Sequence, residues 1–463
     1  MSLSPDIHRQ RRAALMAAVE SPVLLSGNGL RFRNSAYPLP FRQDSTFLYY
    51  TGCRQPDAAV LLADGQSTLF LTPPADDDAL WHGHSASITQ AAAGLGFDRV
   101  RPRAELAAAC RGHQALRTIA VPDRGVNDAL SQLTGQPVAF RSAPGSEALI
   151  AAIITQRRIL GAEEVAQMQQ AAKATAAGHR AAMAVTRPGG HEREVAAVFN
   201  AMVAAHGCVP AYGAIVTVRG EILHNEHYVN PLQAGQLLLL DGGAESPAGY
   251  ATDVTRTWPV SGTFSGRQRA AYEAVLAAQE ASIALVRPGV RYRDVHTASC
   301  RVLAQFLIDE GLLTSSVDAA IESGAHALFF PHGVGHLIGL DVHDMEGFGD
   351  RQAYPPHRSR SEQFGTGYLR LDIDLEAGMA VTIEPGFYIV PAILSDPVLT
   401  ARFAGQLDLA RAREWFGFGG IRIEDDVLTT AAEPLVITGD IPKTVSAVES
   451  AMAEDFVWER FTP

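Results

Sequence analysis

Apolar residues in the first third of the chain alternate between short strand-like runs and stretches with helical spacing. The runs "PVLLSG" from Pro22 and "AAVLLADGQSTLFLTP" from Ala58 predict strands. The second folds back on itself at Asp64-Gly65, a pair that accepts the positive φ angles of a two-residue hairpin. "RTIAVPDRG" from Arg117 predicts another strand, and the spacing between Ala104 and Leu116 predicts a helix before it. Together these make a small α/β domain. It gives way near residue 155 to "ALIAAIITQRRILGAEEVAQMQQAAKATAAGHRAAMAV", an alanine-rich amphipathic stretch with Glu163 and Glu164 placed as the positive end of a helix favours. The expected division is therefore 1–155 and 156–463.

Within the second part the chain repeats itself. Slid by one hundred positions, "AAMAVTRPGGHEREVAA" from Ala181 lies over "ASIALVRPGVRYRDVHT" from Ala281, sharing a helix, an Arg-Pro-Gly turn and the start of a second helix. Arg-Pro-Gly also serves as an ordinary helix stop. A duplicated unit explains the longer match, since each copy needs a partner to bury its apolar face, and it places a site at the join.

Bulk properties narrow the function. At 463 residues the chain suits two domains, and a net charge of −12 without a basic cluster argues against nucleic acid or an anionic membrane surface. Cys53, Cys110, Cys208 and Cys300 are scattered with no CxxC pair, so neither a disulfide framework nor a zinc knuckle is indicated. With no signal-peptide pattern at the start and no stretch approaching the ~20 apolar residues of a spanning helix, a cytoplasmic, reduced protein is expected.

Acidic residues in strand contexts carry the chemistry. "GQLLLLDGGAESPAGYATDVTRTWPVSG" reads as a buried strand ending at Asp241, a glycine turn, and a returning strand with Asp253. Glu384 follows the apolar run in "AVTIEPGFYIV", and Glu424 sits among alternating apolar residues in "FGGIRIEDDVLTT". A carboxylate at the end of "LLLL" must be answered by an arginine or a metal, because an isolated buried charge is too costly to keep. The glycine-rich "PHGVGHLIGLDVHD" adds His332, His336 and His343. Hard oxygen donors with one or two imidazoles suit Mn²⁺, Co²⁺ or Zn²⁺, and two divalent cations would balance four carboxylates. Such a pair, ~3.5–4 Å apart, can share a bridging hydroxide that acts as nucleophile.

These segments closely resemble those of the pita-bread metallopeptidases, specifically the proline-directed prolidases and aminopeptidases P. The likeness spans about residues 155–450, with a weaker match in "PLPFRQDSTFLYYTG" from Pro38. It implies an α/β (α+β) architecture: a small N-terminal α/β domain followed by a pita-bread fold of two pseudo-symmetric halves. It further implies two divalent ions, Mn²⁺ by expectation with Co²⁺, Zn²⁺ or Fe²⁺ as alternatives, held by Asp241, Asp253, His336, Glu384 and Glu424. Glu384 would also shuttle a proton, and His343 would orient the substrate carbonyl. His332 and His224 would line the pocket, with Tyr212 as a wall and Arg422 paired to acidic neighbours. His227 and His326 match no motif position.

The resemblance leaves open which proline-directed activity to expect. Arg370, in "GTGYLRLDIDLEAGM", matches an arginine that in prolidases binds the dipeptide carboxylate, and the long connections after His343 and Glu384 agree with that group. Ile373 departs from it, standing where prolidases commonly have a second arginine. The leading expectation is therefore hydrolysis of the Xaa-Pro bond in dipeptides. The alternative is an aminopeptidase P acting on longer Xaa-Pro peptides, and a lesser one is a non-catalytic binding module of the same fold. Trp81 matches a tryptophan that reaches a partner subunit's pocket, so a homodimer or homotetramer is expected.

Overall fold

A computed structural model describes residues 3–35, 37–83, 86–225 and 227–456. The chain divides into two compact units, Met1–Arg158 with Met345–Gln352, and Ile159–Asp344 with Ala353–Pro463.

The first unit is built on a five-stranded sheet of β1 (Val23–Ser26), β2 (Ala59–Ala63), β3 (Gln66–Leu71), β4 (Arg99–Pro102) and β5 (Arg117–Thr118), in the order β4-β3-β2-β1-β5. The β2–β3 hairpin turns at Asp64 (φ 53°) and Gly65 (φ 73°), as the sequence predicts. Its core gathers Leu24, Leu61, Phe70, Leu106 and Leu130. The strand expected from Arg117 onward pairs with β1 over only two residues. Beyond them the backbone finds other partners: the Ala120 N–H donates to the Pro144 carbonyl (2.8 Å) and the Val121 N–H to Asn127 Oδ1 (2.9 Å). Likewise, the helix expected between Ala104 and Leu116 is a 3₁₀ turn followed by the short helix Leu106–Arg111. Met345–Gln352 joins this unit through a forked pair from Arg351 to Glu147, 2.7 Å from Nε and 2.6 Å from Nη2.

The second unit contains the repeat. Helices α1 (Ala162–Val185) and α2 (Glu192–Ala205) form one antiparallel pair, and α3 (Gly266–Ile283) and α4 (Tyr292–Asp309) form the other. In both, the Arg-Pro-Gly turn ends the first helix, with Gly189 and Gly289 at φ 87° and 82°, which glycine adopts at no steric cost. The first pair is followed by the antiparallel strands β6 (Ile215–Thr217), β7 (Leu237–Asp241) and β8 (Thr255–Pro259), in the order β8-β7-β6. The second pair is followed by β9 (Ala380–Ile383), the paired β10 (Gly386–Tyr388) and β11 (Gly420–Arg422), then β12 (Asp425–Leu428), which lies antiparallel to β9. This is the pita-bread arrangement. Trp258, Trp415, Tyr272, Tyr292 and Phe199 fill its interior. Among the described residues no helix is long and apolar enough to cross a membrane.

Candidate metal centre

Strand ends deliver the acidic side chains to one place. Asp241 closes β7, and the two glycines after it let the chain return tightly, since a Cβ on Gly243 would overlap the carbonyl oxygen of Thr252. That return sets Asp253 beside Asp241, and the Tyr212 hydroxyl donates to Oδ1 of both, at 2.6 Å for Asp241. Glu384 directly follows β9 and Glu424 directly precedes β12. Because Ile383 pairs with Asp425, the two glutamates arrive together. The halves are joined here: the Glu424 N–H donates to the Thr255 carbonyl (3.0 Å), and the Thr255 hydroxyl to Glu424 Oε2 (2.7 Å).

His336 is aimed by backbone. Its N–H donates to Thr382 Oγ1 (3.1 Å), and the Thr382 N–H donates to its carbonyl (2.9 Å); only glycine at 335 permits this approach, because a Cβ there would overlap the Thr382 oxygen. Nδ1 bonds the Leu337 carbonyl at 3.0 Å, which fixes the ring and directs Nε2 at the acids. Nε2 lies 3.4 Å from Asp253 Oδ2 and 3.6 Å from Glu384 Oε1.

The cluster is short of positive charge. Burial lifts the Asp241 carboxyl to about 6 against the pull of Arg422, with Asp253 adding repulsion. Burial lifts Glu384 to about 7, opposed by His336 and Arg422. Glu424 is raised well above the carboxylate range by burial and then by repulsion from Asp253, Glu384 and Asp241. Asp253 alone falls below its usual value, burial notwithstanding, because the His336 bond and charge outweigh it. Four converging carboxylates that Arg422 and one imidazole cannot neutralise are a donor set suited to divalent cations. Three groups of donor atoms each lie within 4.8 Å of one another: Asp241, Asp253 and Glu424; His336, Glu384 and Glu424; and Asp253, His336 and His343. The residues therefore fit two ions sharing ligands.

Comparison with known proteins decides the family. Metallopeptidase family M24 matches residues 166–431, and the aminopeptidase P N-terminal domain matches residues 8–118. The chain belongs to metallopeptidase family M24. It is 32 % identical to a Xaa-Pro aminopeptidase of Haemophilus influenzae over 97 % of this chain and 98 % of the relative. Xaa-Pro aminopeptidase 1 of Streptomyces coelicolor is 32 % identical over 96 % of this chain and 86 % of the relative. The structure of aminopeptidase PepP from Pseudomonas aeruginosa superposes with a TM-score of 0.81 at 31 % identity, covering 98 % of each chain. Aminopeptidase P of Escherichia coli with the inhibitor Pro-Leu gives 0.81 at 28 % identity, covering 98 % of this chain and 99 % of that one.

Around the M24 centre lies a ring of hydrogen-bonding side chains. Arg422 donates from Nη2 to Asp241 Oδ2 (2.6 Å), from Nε to Thr255 Oγ1 (2.9 Å) and from Nη1 to the Tyr388 hydroxyl (3.1 Å). His332 donates from Nδ1 to the Gly333 carbonyl (2.8 Å), so its Nε2 accepts from the Tyr388 hydroxyl at 2.8 Å. Burial, then the Arg422 charge, brings His332 down to about 3 and keeps it neutral, with Arg370 and His224 near enough to add to the effect. The His343 ring centroid is 4.3 Å from that of His336. Of the residues named from sequence, His326 is buried against the Ala320 carbonyl (3.0 Å), and Trp81 belongs to the first unit, 71 % exposed with its indole N–H on Asp77. Tyr212 touches the acids themselves.

Tyr388 and Thr255 escaped the sequence reading. A signal for Tyr388 existed in the glycines around it: a Cβ on Gly386 or Gly420 would collide with its ring.

Proposed function

We propose that this M24 metallopeptidase is an Xaa-Pro aminopeptidase that releases the N-terminal residue from peptides with proline second. Catalysis is assigned to residues 156–463, with Asp241, Asp253, His336, Glu384 and Glu424 holding two divalent ions, manganese expected. The observation that carries the reading is the convergence of these five donors in a chain aligned nearly end to end with Xaa-Pro aminopeptidases. When bound, the ions supply Lewis acidity and lower the pKa of water, the chemistry an amide hydrolysis needs.

The protein's own groups do the rest. A bond to proline nitrogen has no N–H and a fixed ring geometry, so the pocket must accept a rigid, donor-free amide. Glu384, which follows β9 directly into the donor cluster, would also relay a proton toward the leaving nitrogen. His343, whose ring centroid lies 4.3 Å from that of His336, would donate to the carbonyl oxygen as negative charge develops there. Tyr212 and Arg422 keep Asp241 and Asp253 turned inward.

One observation favours a second reading, dipeptide hydrolysis. Arg370 is close enough to His332 to bear on its charge, and a guanidinium there could pair with a carboxylate directly after the proline. Turnover of Ala-Pro-Ala and Ala-Pro by the Mn²⁺-loaded protein separates the two. The aminopeptidase reading expects kcat/KM for the tripeptide to exceed that for the dipeptide by about tenfold or more. The reverse order makes the enzyme a dipeptidase, and cleavage of neither overturns both.

A further inference from the structure

The turn that carries Arg370 is pinned by charges from a distant helix. Asp372 is fully buried, and its carboxylate receives a forked pair from Arg291, with Nε–Oδ1 and Nη2–Oδ2 both at 2.6 Å. Arg293 adds Nη2 at 3.0 Å from Oδ2. Arg358 donates to the Asp372 carbonyl (3.0 Å) and pairs with Asp374 (2.8 Å). The backbone follows the same line: the Tyr292 N–H donates to the Ile373 carbonyl and the Leu375 N–H to the Val290 carbonyl, each at 2.9 Å.

On the other side of Arg370 the chain is equally fixed. Leu369 packs against the loop of His332, where a Cβ on Gly333 would come 2.8 Å from the Leu369 Cα. The Leu369 carbonyl accepts from the Tyr354 hydroxyl (2.6 Å) and from Arg360 (2.9 Å). A half-exposed arginine is thus bracketed between a residue packed on the pocket loop and a buried carboxylate two positions on. Forked pairing constrains position and orientation together, which is what a guanidinium needs if it is to meet a ligand in one geometry.

We propose that Asp372, through Arg291 and Arg293, is a positioning residue for Arg370, and that this clamp sets the enzyme's preference between a substrate ending at its proline and one that continues beyond it. The proposal rests on the proline-directed peptidase reading above.

The test compares wild type, Asp372→Asn, Arg291→Gln and the control Arg287→Gln, which severs an exposed pair to Glu433 (2.6 Å). Each Mn²⁺-loaded protein is assayed on Ala-Pro-Ala for kcat and KM, and on Ala-Pro for KM, or for Ki where the dipeptide is bound but not cleaved. Both clamp variants are expected to raise the Ala-Pro constant by about tenfold while kcat on Ala-Pro-Ala stays within about twofold. The control should change neither. Equal effects on both peptides, or a lowered Tm with the ratio unchanged, would show that Asp372 only supports the fold and would overturn the clamp. Should Asp372→Asn fail to fold, Arg291→Gln decides, since Arg293 still covers the buried carboxylate. Wild-type turnover of neither peptide overturns the proline-directed reading and the clamp's role with it; an active wild type with unaltered ratios in the variants overturns the clamp alone.

Discussion

Asp425→Asn should be among the most damaging single changes outside the donor set. Arg256 and Asp425 each have no exposure and lie 2.7 Å apart. The carboxylate also accepts from Thr438 Oγ1 (2.8 Å), Gln279 Nε2 (3.0 Å) and Lys443 Nζ (2.9 Å). Burial alone would raise its pKa, but Arg256 and Lys443 hold it below the usual range. An amide keeps the volume, loses the charge and turns an N–H₂ toward one of these donors. Removing one partner from a buried pair leaves the other uncompensated, at a cost of about 3–5 kcal/mol. The damage should reach the centre, because Arg256 also donates to the Glu424 carbonyl at 2.6 Å. The assay is urea unfolding of the metal-free protein at pH 7, followed by the fluorescence of Trp258 and Trp415, both buried in the same unit. A double variant, Arg256→Met with Asp425→Leu, removes both charges and should be less destabilised than the sum of the singles by about 2 kcal/mol or more. A single-variant cost under about 1 kcal/mol, or simple additivity in the double, would refute the reasoning.

Two further outcomes are expected. His336→Ala should lower bound Mn²⁺, measured by elemental analysis after dialysis, and reduce kcat by about a hundredfold or more; full metal content with normal turnover would contradict the two-ion assignment. Two buried histidines should each give the metal-free protein an acid-labile share of stability, opposite in sign to the share from the raised carboxyls of Asp241, Glu384 and Glu424. His179 and His296 are both brought down to about 3, by burial first and then by neighbouring positive charge. At these two residues the unfolded chain takes up protons as pH falls through about 6.5 while the folded chain does not, so their contribution is full above that pH and drains away toward pH 3. Each histidine should remove about 2 kcal/mol between pH 7 and 5, read as the difference in that interval between the wild type and a His179→Gln or His296→Gln variant, and an identical pH dependence in variant and wild type would contradict their buried, neutral state.

Much of the site was legible because its residues violate their surroundings. Asp241 after four leucines, Glu384 after Val-Thr-Ile and Glu424 between isoleucine and aspartate are carboxylates where burial forbids unpaired charge. The repeated Arg-Pro-Gly turn likewise announced two copies of one helix pair, which the structure contains. Less legible were residues that act through long-range pairing. Tyr388 reads as a strand aromatic until β10 meets β11, and only then does its hydroxyl stand between His332 and Arg422. Asp372 reads as a loop acid until Arg291, just before α4, and Arg293 in its first turn reach it. The return of Met345–Gln352 to the first unit rests on a pair with Glu147 that no local pattern encodes. The strand expected beyond Thr118 ended early for the complementary reason: an asparagine side chain and a proline carbonyl took its amides.

The division of donors between the two halves has a consequence for synthesis. Asp241 and Asp253 leave the ribosome with the first helix pair, whereas His336, Glu384, Arg422 and Glu424 come only with the second. Until β11 and β12 are in place, the aspartates lack the guanidinium that pairs Asp241 and the Glu424 carboxylate of the proposed donor set. A nascent first half must therefore keep its acidic end wet, and closing it over is a late event that awaits nearly the whole chain. If the proposed donor set holds the ions, metal capture would act as a seal on the finished fold, and a product cut short before Glu424 would be told apart by its failure to hold an ion.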